Sequence, residues 1–407
     1  MTDMPQRHAI FATMLFACGA MVLQRGVYLY TAEVHAFSAP QNLAVSVLYG
    51  LAYIFGAAAF APWLGRRYLA SRMAGIAVAL GAAGLLMNAV GHLASMAVVA
   101  MLMGGLIGAA WPLLNGMILA DRSPRDYRVM IGRFNLSWAV GVPICMVGCG
   151  WLLHYEPKLL PVFACLVLVG VALVLTVGAY QFVSSSKKSI NEQVRSLGEI
   201  QDRAIPQAVI FTGRWGMVIC YSLMFTLIPV QPAIFGELGY TPSQAAYFSI
   251  TFDIARLLTF CAMIATPVWI GSFTGLSLAM LVAPIAMGLS VAGENLTLVL
   301  LGHVGLGAAA GYLYYAPLMH GLAENRSAVA STGKHEAVRG ASLIAGPLLG
   351  MWGASTTASE GLRGLVWTVV MPAAVLMVAL IICGGLAGTR KKEYCGERRK
   401  TDAANSL

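Results

Sequence analysis

Apolar runs long enough to cross a bilayer follow one another along almost the whole chain. A spanning helix takes about 20 mostly apolar residues. Twelve runs of that kind lie near 9–30, 43–63, 73–90, 96–119, 132–153, 159–182, 207–235, 243–269, 274–292, 297–320, 336–354 and 364–386. Pro40, Gly91, Pro157, Pro242 and Gly293 punctuate them. Only 11% of the residues are charged and 58% are hydrophobic, where a soluble domain carries about 25% charge. A fold in water would leave large apolar areas bare. The chain is expected to be an all-α integral membrane protein. Its first run carries Arg25 and no clean small-residue cleavage site, so it reads as a membrane helix and not a signal peptide. The seventh run is long and holds Pro229 and Pro232, which predicts a kink or an early end.

The basic residues test the count. Cytoplasmic loops of membrane proteins are enriched in Lys and Arg. With the N-terminus inside, 21 of the 26 Lys and Arg residues fall on inside segments. Only Lys158 and Arg363 fall outside, and Arg25, Arg214 and Arg256 lie within runs. A missed or extra helix would scramble this bias. Twelve spans, with both termini cytoplasmic in a plasma (inner) membrane, are therefore expected. The charge of +9 then reflects topology and does not point to nucleic acid.

One polar stretch, Ser184 to Pro206, divides two apolar blocks of nearly equal length. It predicts a six-helix bundle over 1–182, a cytoplasmic linker over 183–206, a second bundle over 207–386 and a basic tail over 387–407. Within the linker, Ser189 and Glu192 fit a capping box. Ile190, Val194, Leu197 and Ile200 follow at helical spacing. A short surface helix and a solvated loop are both open readings.

The blocks match at an offset of 203–204 residues. Gly104 and Gly108 of helix four face Gly307 and Gly311 of helix ten; Asp121-Arg122 faces Glu324-Asn325; Pro143 faces Pro347. Two related halves in a membrane chain usually hold their binding site between them, near the midplane. This architecture resembles the major facilitator superfamily of secondary transporters over residues 9–386. Gly65-Arg66-Arg67 fits the end of that family's loop between helices two and three, with Pro62 at its aspartate position. Gly105 and Gly108 match its helix-four pattern, with Met101 at the arginine position. Gly346-Pro347-Leu348-Leu349-Gly350 matches a pattern typical of helix five in antiporters, here in helix eleven. The resemblance implies two pseudo-symmetric six-helix bundles that rock about a central site. It also implies that helices one, four, seven and ten line the path, with two, five, eight and eleven beside them.

Ionisable groups inside spans are costly, so each is a candidate for function. Asp253 and Arg256 share one face of helix eight at a spacing of three. They either line the cavity, binding solute or relaying a proton, or they only neutralise each other. Asp253 is the candidate coupling group. Arg25 either coordinates an anion or snorkels outward; Arg214 is expected to snorkel to the cytoplasm. Trp111 and Asn115 of helix four and Tyr312 of helix ten are the chosen cavity walls, from a wider set with Pro112, Asn135, Trp138, Tyr314 and Tyr315. Arg133, His335, Glu336 and Arg339 are expected to form an inner gate, with helix eleven opening at His335. Three arginines against one carboxylate in the spans favour a small anionic solute. The competing readings are a drug-type efflux antiporter and a non-transporting scaffold or sensor. Neither a phosphate-binding loop ending in Lys-Ser or Lys-Thr nor a metal-ligand or nucleophile constellation is visible. No cofactor and no enzyme activity are expected. Protons are a candidate coupling ion.

Overall fold

The computed structural model describes residues 6–65, 69–119, 127–183, 206–324, 328–356 and 361–404. Among the described residues, eleven helices are long and apolar enough to span a membrane: α1 (Arg7–His35), α2 (Ala39–Leu64), α3 (Leu69–Ala89), α4 (Leu93–Leu119), α5 (Val129–Tyr155), α6 (Leu159–Ala179), α7 (Gln207–Glu237), α8 (Pro242–Ala265), α9 (Phe273–Ala292), α10 (Leu296–His320) and, last of these, α12 (Val366–Ala387). Between the last two runs α11 (Ala328–Thr356). It is equally long but carries Lys334, Glu336 and Arg339 in its first half, which lowers its hydropathy. Leu166, Leu258, Ile285, Trp367 and Val375 turn outward and are mostly exposed, as a lipid-facing belt requires. The chain is a multi-pass membrane protein of two six-helix bundles. The expected linker helix, the Arg66-Arg67 loop and the Asp121–Asp126 segment lie outside the described residues.

Within each bundle, glycine lets two helices touch backbone to backbone. A Cβ on Gly104 or Gly108 would stand 2.3 Å from the carbonyl oxygens of Tyr49 and Tyr53 in α2. The repeat does the same thing: a Cβ on Gly307 would stand 2.2 Å from Phe252 O, and one on Gly311 3.2 Å from Arg256 O, both in α8. Small residues that admit close approach are what membrane helices use in place of hydrophobic drive. The offset of 203 therefore pairs Tyr49 with Phe252 and Tyr53 with Arg256. Across the bundles, α2 packs on α11 and α5 on α8. Helices α1 and α7 are the most enclosed, with 78% and 83% of their apolar windows buried. Helices α6 and α12, at 33% and 28%, form the outer wall.

Three local features depart from the expectations. First, α7 does not end at its prolines but runs on to Glu237. Each Pro lacks an N–H and clashes one turn back, yet the segment from Tyr221 to Pro232 is wholly buried, so packing holds it helical. Second, α11 begins at Ala328 and not near 336. Hydropathy misplaced its start because the first two turns are polar. Third, α1 is interrupted at one residue, Arg25, with φ −108° and ψ −41°. There the ladder tightens: Tyr28 N–H donates to Arg25 O at 3.3 Å.

Candidate functional site

Five charged side chains are buried where the two bundles meet. Arg25 projects from the break in α1. Asp253 and Arg256 lie on one face of α8, a single turn apart. Asp253 is fully enclosed and bonds with both oxygens. Its Oδ1 accepts from Arg256 Nη2 at 2.7 Å, and its Oδ2 accepts from Arg25 Nη1. One carboxylate thus ties the first bundle to the second. The Arg256 guanidinium lies 4.6 Å from the Trp138 ring centre and 5.2 Å from that of Phe252, and Arg25 lies 5.8 Å from Phe252. Ring faces give these buried cations a second favourable contact.

The other two charges, Glu336 and Arg339, sit a turn apart on α11. Arg339 Nε donates to Glu336 Oε2 at 2.7 Å, and Tyr314 of α10 donates to Oε1 at 2.7 Å. Tyr53 of α2 also donates to Glu336 Oε2 and lies against Arg339 Nη2. Its ring centre is 4.9 Å from the Arg339 guanidinium. This is a second link across the bundles, built on Tyr53, the repeat equivalent of Arg256.

Between the clusters is a small cavity of about 30 Å³, room for about two water molecules. Arg25, Arg256 and Arg339 line it, with Gln24 and an aromatic wall of Trp111, Trp138, Phe225, Phe252 and Tyr314. Several buried polar atoms here have no hydrogen-bond partner: Nε and Nη2 of Arg25, Nε of Arg256, Oε1 of Gln24 and Nε1 of Trp111. A second small space shares Gln24, Arg25, Phe225 and Ile228 with the first and adds Pro229. Pro229 in turn borders a wider recess of about 180 Å³ between Phe37, Asn42, Pro232 and Pro242. The three line up from the charge cluster to the end of the molecule where α1 and α7 finish. Asn42 narrows this line, donating from Nδ2 to Tyr28 O at 3.1 Å and to Pro229 O at 3.5 Å.

No protein-family model matches this sequence, and no curated protein does. Solved structures do. The nucleoside transporter NupG superposes with a TM-score of 0.65 at 13% identity, over 95% of this chain and 99% of that one. A bacterial homologue of the human lysosomal transporter Spinster, inward-facing and unoccupied, gives 0.68 at 14%, over 94% and 97%. The human organic anion transporter MFSD10 (TETRAN) gives 0.61 at 15%, over 93% and 99%. The chain has the major facilitator fold. Among the described residues the site draws on α1, α2, α4, α5, α7, α8, α10 and α11, and on none of α3, α6, α9 and α12.

The residues singled out in the sequence fall into three groups. Arg25, Asp253, Arg256 and Trp111 converge on the cavity. Asn115 sits one turn along α4 from Trp111, fully buried, with both amide atoms unpartnered. Tyr312 goes elsewhere: its hydroxyl reaches Trp269 O at 3.5 Å, against the loop after α8. Tyr314, two residues on and about 200° around the helix, takes the cavity position instead. Of the expected gate, Arg133 is exposed and takes no part in the cluster. Glu336 and Arg339 do not stand at a helix mouth. They lie in the third turn of α11, and Arg339 lines the cavity itself. His335 meets Tyr314 edge-on with ring centres 4.9 Å apart.

Sequence reasoning missed Tyr53, Phe225 and Phe252. For Tyr53 a signal existed, since its offset partner is Arg256. It also missed the pairing of Gln231 with His303. Val299 O can only accept, so His303 Nδ1 donates to it at 2.7 Å, leaving Nε2 to accept from Gln231 Nε2 at 2.9 Å.

Proposed function

We propose that this chain is a secondary active transporter that moves a small organic anion by alternating access. The observation that carries the reading is the Arg25–Asp253–Arg256 cluster, buried at the junction of two bundles and lining the central cavity. Removing one member of a buried ion pair costs about 3–5 kcal/mol, whereas replacing the whole pair with apolar groups is often neutral. Charges kept in such a place serve something besides stability. That MFSD10 is named an organic anion transporter agrees with the surplus of guanidinium donors.

In this reading the two sides of the cavity open in turn. When the α1–α8 side opens, the solute enters and meets the unpartnered edge of Arg25. When the α2–α11 side parts, Tyr53 leaves Glu336 and Arg339 and the solute exits. Asp253 is the coupling group, with a proton as the coupling ion. Glu336 and Arg339 hold the inner side closed, while His335 steadies Tyr314. Residues 183–206 tether the bundles, and both termini are cytoplasmic in an inner membrane. The chain binds neither nucleic acid nor cofactor and carries out no covalent chemistry. Reconstitution in proteoliposomes tests this: Asp253→Asn should abolish gradient-driven uptake while the variant still purifies as a folded monodisperse protein. Normal uptake in that variant would remove Asp253 from the mechanism.

A further inference from the structure

The donors and acceptors of the central site are not balanced, and the imbalance specifies a ligand. Both carboxylates are committed. Each Asp253 oxygen holds one arginine, and the Glu336 oxygens take Tyr314, Tyr53 and Arg339. A cationic solute would find no free carboxylate oxygen. The guanidinium groups are the opposite case. Arg25 spends only Nη1 on Asp253, leaving Nε and Nη2 unpartnered in a side chain that is 5% exposed. Nε–H and Nη2–H form the side-on edge that grips both oxygens of one carboxylate in parallel. Arg256 adds an unpartnered Nε.

Charge and shape narrow the class. Among the described residues of the two clusters, three guanidinium groups face two carboxylates, an excess of one positive charge. One negative charge on the solute neutralises it; a second would be left uncompensated in a buried site. The walls are flat and apolar. Trp111 and Trp138 come from the first bundle, and Phe225, Phe252 and Tyr314 from the second. Trp138 meets Tyr314 edge-on at 5.8 Å and Trp111 at 6.3 Å. Such walls suit a ring or other planar apolar body.

We infer that the solute is an organic monocarboxylate with a flat apolar body, held at its carboxylate by the Nε/Nη2 edge of Arg25. This rests on the transporter reading above and sharpens it. The carboxylate enters as the bundles part, since a cavity of about 30 Å³ has no room for a ring-bearing solute. Asp253 keeps Arg25 oriented from the other side, so its role toward the ligand is positioning.

Binding to the purified full-length protein tests the inference by calorimetry and thermal shift. The probes are benzoate, phenylacetate, cinnamate and indole-3-acetate, each beside its primary amide, with phthalate as dianion and benzylamine as cation. At least one acid should bind tenfold or more tightly than its amide, and phthalate and benzylamine more weakly than that acid. Arg25→Lys keeps a positive charge opposite Asp253 but removes the fork; it should weaken that acid by roughly tenfold or more. If Arg25→Lys does not fold, the acid–amide comparison on the natural protein decides alone. Equal binding of acids and amides, a preference for phthalate or benzylamine, or no binding of any of the four acids overturns the inference. A solute of another class carried across proteoliposomes would overturn this inference and leave the transporter reading standing. Transport of nothing from a broad panel would overturn both.

Discussion

Asp253 holds two arginines from two bundles, so its loss leaves two buried cations facing each other. Glu336 has a comparable place, with Arg339 on one side and two tyrosine hydroxyls on the other. Glu336→Gln should therefore lower thermal stability, by about 3–5 kcal/mol or less, because Arg339 is left unpaired. Equilibrium unfolding in mild detergent measures it; an unchanged midpoint would mean that Arg339 finds water or another partner. The charges of this site were legible in the sequence because an ion in an apolar run is conspicuous. Their company was not. Tyr53, Tyr314 and Phe252 belong to residue types that also pack and sit at interfaces, and nothing local separates a cavity tyrosine from a packed one. The choice of Tyr312 over Tyr314 failed for that reason. Two positions on a helix differ by about 200° of rotation, and an all-apolar helix offers no polar face to fix which side turns inward.

At the scale of elements, the glycines decide how closely helices meet. Gly104→Ala and Gly307→Ala each drive a Cβ to within 2.3 Å and 2.2 Å of a backbone oxygen on the neighbouring helix. Each should destabilise by about 1–3 kcal/mol, the usual cost of overpacking. Gly75→Ala and Gly170→Ala are the controls, since a Cβ there meets nothing within 4 Å; they should be neutral or up to about 1 kcal/mol stabilising. Thermal melts of the four variants check the contrast. Equal effects at all four would deny the close contact. The helices themselves were largely legible, because hydropathy sees an apolar run directly. It cannot see a helix start made of polar turns, which is why α11 was placed eight residues late. That shift alone moved Glu336 and Arg339 from a supposed helix mouth to the third turn, beside the cavity. The prolines of α7 misled in the other direction: local breaking chemistry lost to burial along the whole segment.

For the whole molecule, the two links act as clasps on a pair of bodies that each pack tightly within themselves. Asp253→Asn removes the α1–α8 clasp and leaves the Gly104–Tyr49 and Gly307–Phe252 contacts untouched. Hydrogen exchange should accordingly rise along the facing parts of α1, α8, α2 and α11, and stay level between α2 and α4. A uniform rise over both bundles would signal general loosening and argue against rigid bodies. The pairing of halves was readable from the offset of 203, which the glycine contacts repeat in space. The small volume of the cavity was not, because it depends on how two surfaces far apart in sequence settle against each other.

Uptake by the reconstituted protein tests the central claim most directly. Proteoliposomes and protein-free liposomes would be given labelled organic monocarboxylates, well above their pKa so that passive entry of the acid is slow, with and without an imposed proton gradient. The account predicts gradient-dependent, saturable uptake in the natural protein and its loss in Asp253→Asn and Arg25→Lys. Uptake no faster than in protein-free liposomes, or uptake that both variants retain in full, would contradict it.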